Sequence, residues 1–474
     1  MGSRESLPAN ATDTATKIAA LVERARRAQR RFERYTQAQV DEVVTAAGWA
    51  IVNPENNRAL AELAVRSTGL GNVADKLVKN RRKTMGLLRD LQGARSVGVI
   101  SEDPALGVIE IARPVGVVGA VVPSTNPAAT PANKIINALK GRNAIILAPS
   151  PKGVETCALL LRYVHAELDR VGAPRDLVQQ LDAPVTKATT TELMRQVDLV
   201  VVTGSQNNVR AAYSSGTPAI GVGAGNVAVI VDASADIADA AQKIRLSKTF
   251  DNATSCSSEN SVVILDAVYD ATIAALEKQG GVLLDAAEKA KLQAAMWPDG
   301  KLSPAITAQS APAIARLAGL PRGEQAAFLM VTETGAGPDY PFSGEKLSPV
   351  LTVYRASDFA DAMRIVGAIY AYEGAGHSIG IHTRDDAQPM ALGLELPVCR
   401  VIVNQVHCFA TGGSFDNGLP FSLSMGCGTW GRNSISENLN YRHYLNITRI
   451  SRVIPPNEPT IDDLFGRYRA KYGG

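Results

Sequence analysis

At 474 residues the chain is too long for one small core, so two or three domains are expected. Hydrophobic residues at 46% and charged residues at 20% exclude a disordered chain, and a net charge of +3 gives no reason to invoke nucleic acid or an acidic membrane surface. Five cysteines (Cys157, Cys256, Cys399, Cys408 and Cys427) with no CxxC pair argue against a disulfide framework or a thiolate zinc site. No metal is expected, and a reducing cytoplasm fits best. The segment MGSRESLPANATDT lacks the apolar stretch of a signal peptide, and no run reaches the roughly 18 apolar residues that span a bilayer, so a soluble protein is expected.

Ile18, Leu21, Val22, Ala25 and Phe32 recur at helical spacing within residues 12–35, and a second helical pattern covers residues 40–52. Both read as amphipathic surface helices. The basic run Lys76, Lys79, Arg81, Arg82 and Lys83 reads as a solvated helix face. Within residues 96–114, two β-rich runs flank a turn from Asp103-Pro104 to Gly107, which predicts a hairpin projecting as an oligomerisation arm.

A regular alternation follows. GVVGAVVP, NAIILAPS, LVQQLD, DLVVVTGS and AGNVAVIVD are apolar strands separated by helical stretches, the pattern of a doubly wound parallel sheet. A second α/β unit begins after Asp232. The expected division places a cofactor-binding domain at 1–95 and 114–231 and a catalytic domain at 232–430. Residues 96–113 and 431–474 then form the oligomerisation hairpin and C-terminal segment. Ligands of such sheets bind beyond the carboxyl ends of the strands, where the loops VPSTNP, APSPKG and VTGS fall.

Cys256 stands out chemically. Ser255, Ser257 and Ser258 surround it, a setting too polar for a core cysteine, whereas Cys157 beside Ala158, Leu159 and Leu160 reads as a buried hydrophobe. The stretches VGVVGAVVPSTNPAATPANKIINALKGRNAII, FDNATSCSSENSVV, GEKLSPVLTVYRASDFADAM, EGAGHSIGIHT and SMGCGTWGRNSISEN occur in one order along nearly the whole chain. With them the sequence resembles the aldehyde dehydrogenase superfamily, most closely its CoA-acylating branch, represented by the aldehyde half of bifunctional aldehyde–alcohol dehydrogenases.

The resemblance implies an aldehyde dehydrogenase-like fold. It also makes Cys256 the nucleophile that attacks the aldehyde, with Asn126 and the Cys256 backbone N–H holding the resulting oxyanion. It assigns Glu345 to the nicotinamide ribose and makes His377 a candidate to deprotonate or position the CoA thiol. Ser124, Thr125, Ser150, Lys152, Thr203, Gly204, Ser205 and Gly223 are the remaining candidate cofactor contacts. A homodimer or larger homo-oligomer is implied as well.

The fate of the thioester sets the reaction class. Hydrolytic relatives carry a water-activating glutamate where this chain has Gly221-Val222-Gly223-Ala224-Gly225-Asn226. Losing such a base slows hydrolysis by roughly 10²–10⁴-fold, whereas a CoA thiol is intrinsically nucleophilic, so acyl transfer is expected. Ala148-Pro149-Ser150-Pro151-Lys152 lacks an acidic residue that would repel a 2′-phosphate, which favours NADP over NAD. The expected substrate is a small aldehyde, with sulfoacetaldehyde the leading reading and Arg432 its candidate sulfonate contact. Acetaldehyde or propionaldehyde, a hydrolytic enzyme using another base, and a filament or shell-cargo role are the alternatives.

Overall fold

The computed structural model describes residues 9–223 and 225–473, and Ala224 of the glycine-rich stretch lies outside them. Four helices open the described chain: Ala9–Phe32, Gln37–Val52, Pro54–Thr68 and Val73–Leu91. Their starts follow from local chemistry. Thr36 and Gln39 form a reciprocal capping box, Asn53 caps a helix with proline in its first turn, and Asn72 accepts from the Asp75 N–H. The first two helices are not mainly surface elements. Ile18, Val22, Ala25 and Phe32 enter the core, and Gln37–Val52 buries Val40, Val43, Val44, Ala47, Ala50 and Ile51 against neighbours on several sides.

The predicted doubly wound sheet is present. Its five strands lie in the order Val178–Gln180, Ala144–Pro149, Val117–Val122, Leu199–Thr203, Ala219–Val222, and every pairing is parallel. Strands covered by helices on both faces are apolar throughout, which is why Val117–Val122 and Ala144–Pro149 are buried at every position. The strand order reverses between Val117–Val122 and Leu199–Thr203, and the crevice at such a reversal is where this architecture receives a ligand.

A seven-stranded sheet, also wholly parallel, forms the second unit. Val227–Val231 belongs here, paired with Glu259–Leu265 on one side and Ile379–His382 on the other. The expected boundary at 231/232 therefore moves: the change of sheet falls between Val222 and Val227. Apolar alternation does not say which sheet a strand joins, and this strand is as fully buried as its neighbours. The segment assigned to the catalytic unit also returns to the first core, where Phe421 packs with the N-terminal helices.

The hairpin forms as predicted from Gly98–Asp103 and Val108–Pro114, and Leu445–Ser451 adds a third antiparallel strand. The last helix, Ile461–Tyr472, exposes Ile461, Leu464, Phe465, Tyr468 and Tyr472. No helix among the described residues is long and apolar enough to cross a membrane.

Candidate active site

The loop carrying Cys256 begins where helix Ile237–Thr249 ends, and it turns in an uncommon way. Asp251, Asn252 and Ala253 have φ of 51°, 52° and 58°, three successive non-glycine residues in left-handed conformation. Each such residue costs roughly 1–2 kcal/mol, so the turn needs strong anchors. Asp251 supplies them. Its fully buried carboxylate accepts from Lys76 Nζ at 3.0 Å, Lys79 Nζ at 2.5 Å, Thr254 Oγ1 at 2.8 Å and the Asn72 N–H at 2.9 Å. Its own N–H donates to Asp75 Oδ2 at 2.7 Å. Burial opposes ionisation of Asp251, but Lys79 and Lys76 outweigh it and hold the carboxyl below its usual range.

Helix Val73–Leu91 therefore presents Lys76, Lys79 and Lys83 inward, contrary to the solvated-face expectation, which holds for the exposed Arg81. Lys76, Lys79 and Lys83 are 3%, 5% and 7% exposed, whereas Val78 and Met85 of the same helix face solvent at 50% and 43%. Burial pushes Lys76 down to about 8 and Lys83 down to about 7. Lys79 also donates to Asn126 Oδ1 at 2.8 Å, which makes Nδ2, in a long 3.5 Å contact with Thr125 Oγ1, the donor end of the amide. Sequence reasoning missed Lys76, Lys79 and Asp251. The signal was available in the spacing of Lys76, Lys79 and Lys83, three and four residues apart and so on one face.

Cys256 lies half-buried between two compartments. On one side its neighbour Ser255, though not Cys256 itself, lines a cavity of about 30 Å3 with Asn126, Lys79, Arg82, Lys83, Phe250, Cys408, Phe409 and Leu423. On the other side sit Gly225, His377 and Glu345. A Cβ added at Gly225 would come 2.6 Å from the Cys256 carbonyl oxygen and 2.9 Å from His377 Cδ2. Such contacts leave no room for a side chain. Gly221 is equally closed, since a Cβ there would meet Val209 Cγ1 at 2.7 Å. Neither position can therefore hold a carboxylate without displacing its neighbours.

Burial favours the neutral forms of Cys256, Glu345 and His377 at pH 7. Burial, with Glu345 and Cys427 nearby, pushes the Cys256 thiol up to about 12. Burial and the neighbouring Glu373 raise Glu345 to about 8, and Glu345 Oε1 accepts from the Gly225 N–H at 3.2 Å. Burial, Arg400 and His407 bring His377 down to about 3. Its Nδ1 lies 2.8 Å from Ser378 Oγ, and its buried Nε2 has no protein partner.

The candidate cofactor residues gather at the carboxyl ends of the five-stranded sheet. Ser124, Thr125 and Asn126 follow Val117–Val122, and the Thr125 carbonyl accepts from Lys76. Ser150 and Lys152 follow Ala144–Pro149. The Ser150 hydroxyl is buried without a partner, and Lys152 is exposed. Thr203, Gly204 and Ser205 lead into helix Gln206–Tyr213, which Ser205 caps, while Thr203 Oγ1 meets Ser424 Oγ at 2.5 Å. At Gly223 a Cβ would approach Gln206 Nε2 to 2.4 Å. A helix N-terminus, an orphaned hydroxyl and a glycine-walled cradle at the strand reversal fit a dinucleotide. Arg432 is exposed and does not line the cavity beside Asn126.

Residues 4–419 match the aldehyde dehydrogenase family. The chain belongs to the aldehyde dehydrogenase family. Among its relatives, this dehydrogenase is 64% identical to the acylating sulfoacetaldehyde dehydrogenase of Cupriavidus necator, over 99% of this chain and 96% of that protein. It is 44% identical to the acylating sulfoacetaldehyde dehydrogenase of Bilophila wadsworthia, over 95% and 98% of the two chains. The crystal structure of an acetylating aldehyde dehydrogenase from Geobacillus thermoglucosidasius superimposes with a TM-score of 0.91 at 35% identity, covering 96% of this chain and all of that one.

Two outcomes follow for this dehydrogenase. Asp251→Asn strands two buried ammonium groups, and urea unfolding is expected to reveal a loss of about 3–5 kcal/mol; a loss below about 1 kcal/mol would mean that solvent reaches the lysines. Asn126→Ala is expected to lower kcat about 10²–10³-fold while the alkylation rate of Cys256 changes only a few-fold. A parallel fall in alkylation would assign Asn126 to the thiol rather than to the oxyanion.

Proposed function

We propose that this chain oxidises sulfoacetaldehyde to its acyl-CoA, using NAD(P)+ and coenzyme A. The observation that carries the acylating part is the pairing of a half-buried cysteine with backbone at Gly221 and Gly225 that has no room for a water-activating carboxylate. Glu345 is the acid that bears on Cys256, and it is protonated below about pH 8, so it is no base for water at neutral pH. Acylating aldehyde dehydrogenases use NAD(P) and coenzyme A, and the names of the C. necator and B. wadsworthia relatives supply the substrate.

In this reading the Cys256 thiol loses its proton to solvent and the sulfur bonds to the carbonyl carbon, moving the C=O electron pair onto oxygen. Asn126 Nδ2, turned by Lys79, and the Cys256 N–H hold that oxyanion. The nicotinamide supplies a hydride acceptor at this point. As the oxyanion collapses, the C–H bond breaks with its electron pair leaving as hydride, and a thioester remains on Cys256. The CoA thiolate then adds to the same carbon and Cys256 leaves as thiolate, to be reprotonated. His377, neutral and with Nε2 free, positions the CoA thiol, and the proton that thiol gives up goes to the departing Cys256 thiolate. Glu345 holds the nicotinamide ribose. Ser124, Thr125, Ser150, Thr203, Gly204, Ser205 and Gly223 surround the rest of the dinucleotide. Lys152, exposed at a helix start with no acidic residue in its loop, favours NADP.

We also propose a homo-oligomer built through the hairpin and C-terminal segment, supported by the exposed apolar stripe on Ile461–Tyr472. Five free cysteines support a reducing cytoplasm. We read the chain as cofactor-binding, catalytic and oligomerisation units, with the boundary expected at 231/232 placed after Val222.

NADPH and NADH formation with sulfoacetaldehyde, with and without CoA, tests the proposal: strict CoA dependence at pH 7 is expected, and rapid CoA-independent acid formation would overturn it. Raising the pH charges Glu345, so slow hydrolysis should emerge above about pH 8 and disappear in Glu345→Gln. The Cys256 thiol titrates far higher, so its alkylation by iodoacetamide in the cofactor-free enzyme should rise about tenfold per pH unit from pH 7 to 9. A plateau below pH 8 would show that the thiol ionises more readily than its burial implies.

A further inference from the structure

The cavity beside Asn126 and Ser255 contains three cationic side chains, and no carboxylate lines it. Asp416 and Asp90 influence Arg82 and Lys83 electrostatically from outside that lining. Two of the cations are committed to protein partners. Lys79 is bound by Asp251, Asn126 and Thr254, and Lys83 donates to the Gly412 carbonyl at 2.8 Å.

Arg82 differs. One terminal nitrogen donates to Ser414 Oγ at 2.5 Å, but its Nε is buried with no partner. Phe409 and Phe415 fix the guanidinium, with Cζ 5.1 and 5.3 Å from their ring centroids. A buried N–H without an acceptor is costly, and a fixed guanidinium is well suited to an oxyanion.

We infer that Arg82 is the receptor for the sulfonate of the substrate and selects short anionic aldehydes over neutral ones. This rests on the proposed oxidation of sulfoacetaldehyde. In that substrate one methylene separates the carbonyl from sulfur, so a carbonyl held between Cys256 and Asn126 places the sulfonate in the adjoining cavity. A cavity of about 30 Å3 takes only a few heavy atoms, which suits this head group and excludes a long tail. The sulfonate oxygens give the Arg82 Nε its missing acceptor. Lys79 adds positive field without surrendering its own bonds, and Lys83, brought down to about 7 by burial, adds to it when protonated. Arg432 is exposed and outside this cavity, so the anion is read from helix Val73–Leu91 rather than from the C-terminal segment.

The test compares kcat/KM for sulfoacetaldehyde and acetaldehyde, at saturating CoA and cofactor, in the wild-type protein, Arg82→Met, Arg82→Lys and Arg432→Ala. Arg82→Met is expected to lower the sulfoacetaldehyde-to-acetaldehyde ratio about 100-fold, mainly through KM, with Arg82→Lys intermediate. A change below about threefold in Arg82→Met, or a large loss in Arg432→Ala instead, would overturn the assignment. A second readout needs no turnover: 2-hydroxyethanesulfonate should protect Cys256 from iodoacetamide in the wild type and not in Arg82→Met, read by peptide mass. Equal protection in both proteins also overturns the assignment. If the wild type fails to oxidise sulfoacetaldehyde yet shows Arg82-dependent protection, the proposed substrate falls and the anion subsite stands.

Discussion

Three parts of the site depend on one buried carboxylate. Asp251 joins helix Val73–Leu91 to the loop that carries Cys256, and four donors converge on its two oxygens. Without that anchor, three successive left-handed residues would have no reason to hold, at roughly 1–2 kcal/mol each. The same lysine that binds Asp251 orients Asn126, so the nucleophile loop and the candidate oxyanion donor share one reference point. Arg82 and Lys83 occupy the next turn of the same helix, which brings the cationic cavity into the same frame.

This arrangement separates charge across Cys256. The cavity side holds the Lys79 and Arg82 cations beside Lys83, which burial brings down to about 7. The opposite side holds groups that burial keeps uncharged at neutral pH: the Cys256 thiol, the Glu345 carboxyl and the His377 imidazole. Burying an isolated charge is costly, so a resting site of neutral groups avoids that penalty until ligands arrive. In the proposed reading a cationic nicotinamide would favour the thiolate on one side, and the substrate anion would be favoured on the other. Both ligands supply charge that the protein lacks where they bind.

Much of this was legible in the sequence. The strand alternation announced the parallel sheet, the 96–114 hairpin formed where turn residues predicted it, and the polar surroundings of Cys256 distinguished it from Cys157, which is fully buried. What could not be read were facts of pairing. Val227–Val231 has the same apolar pattern as the strands before it, and only hydrogen bonding to Glu259–Leu265 and Ile379–His382 assigns it to the second sheet. The basic run misled for a related reason. Lysines three and four residues apart specify a face but not its direction, and that direction is set by Asp251, more than 170 residues away in the chain. Composition favours solvation for such a face; a single distant carboxylate reverses it.

The chemistry of the thioester is likewise a matter of packing. At Gly221 a side chain would collide with Val209, and at Gly225 with Cys256 itself. Restoring a glutamate would require moving a helix or the nucleophile loop, and that loop is held by Asp251. Loss of the water-activating base is thus embedded in the same contacts that position Cys256, rather than being a surface change that one substitution could reverse. The space next to the thioester is left to a ligand that brings its own nucleophile. A thiol needs little help to attack, whereas water needs a base, so close approach of the backbone at Gly225 favours transfer over hydrolysis.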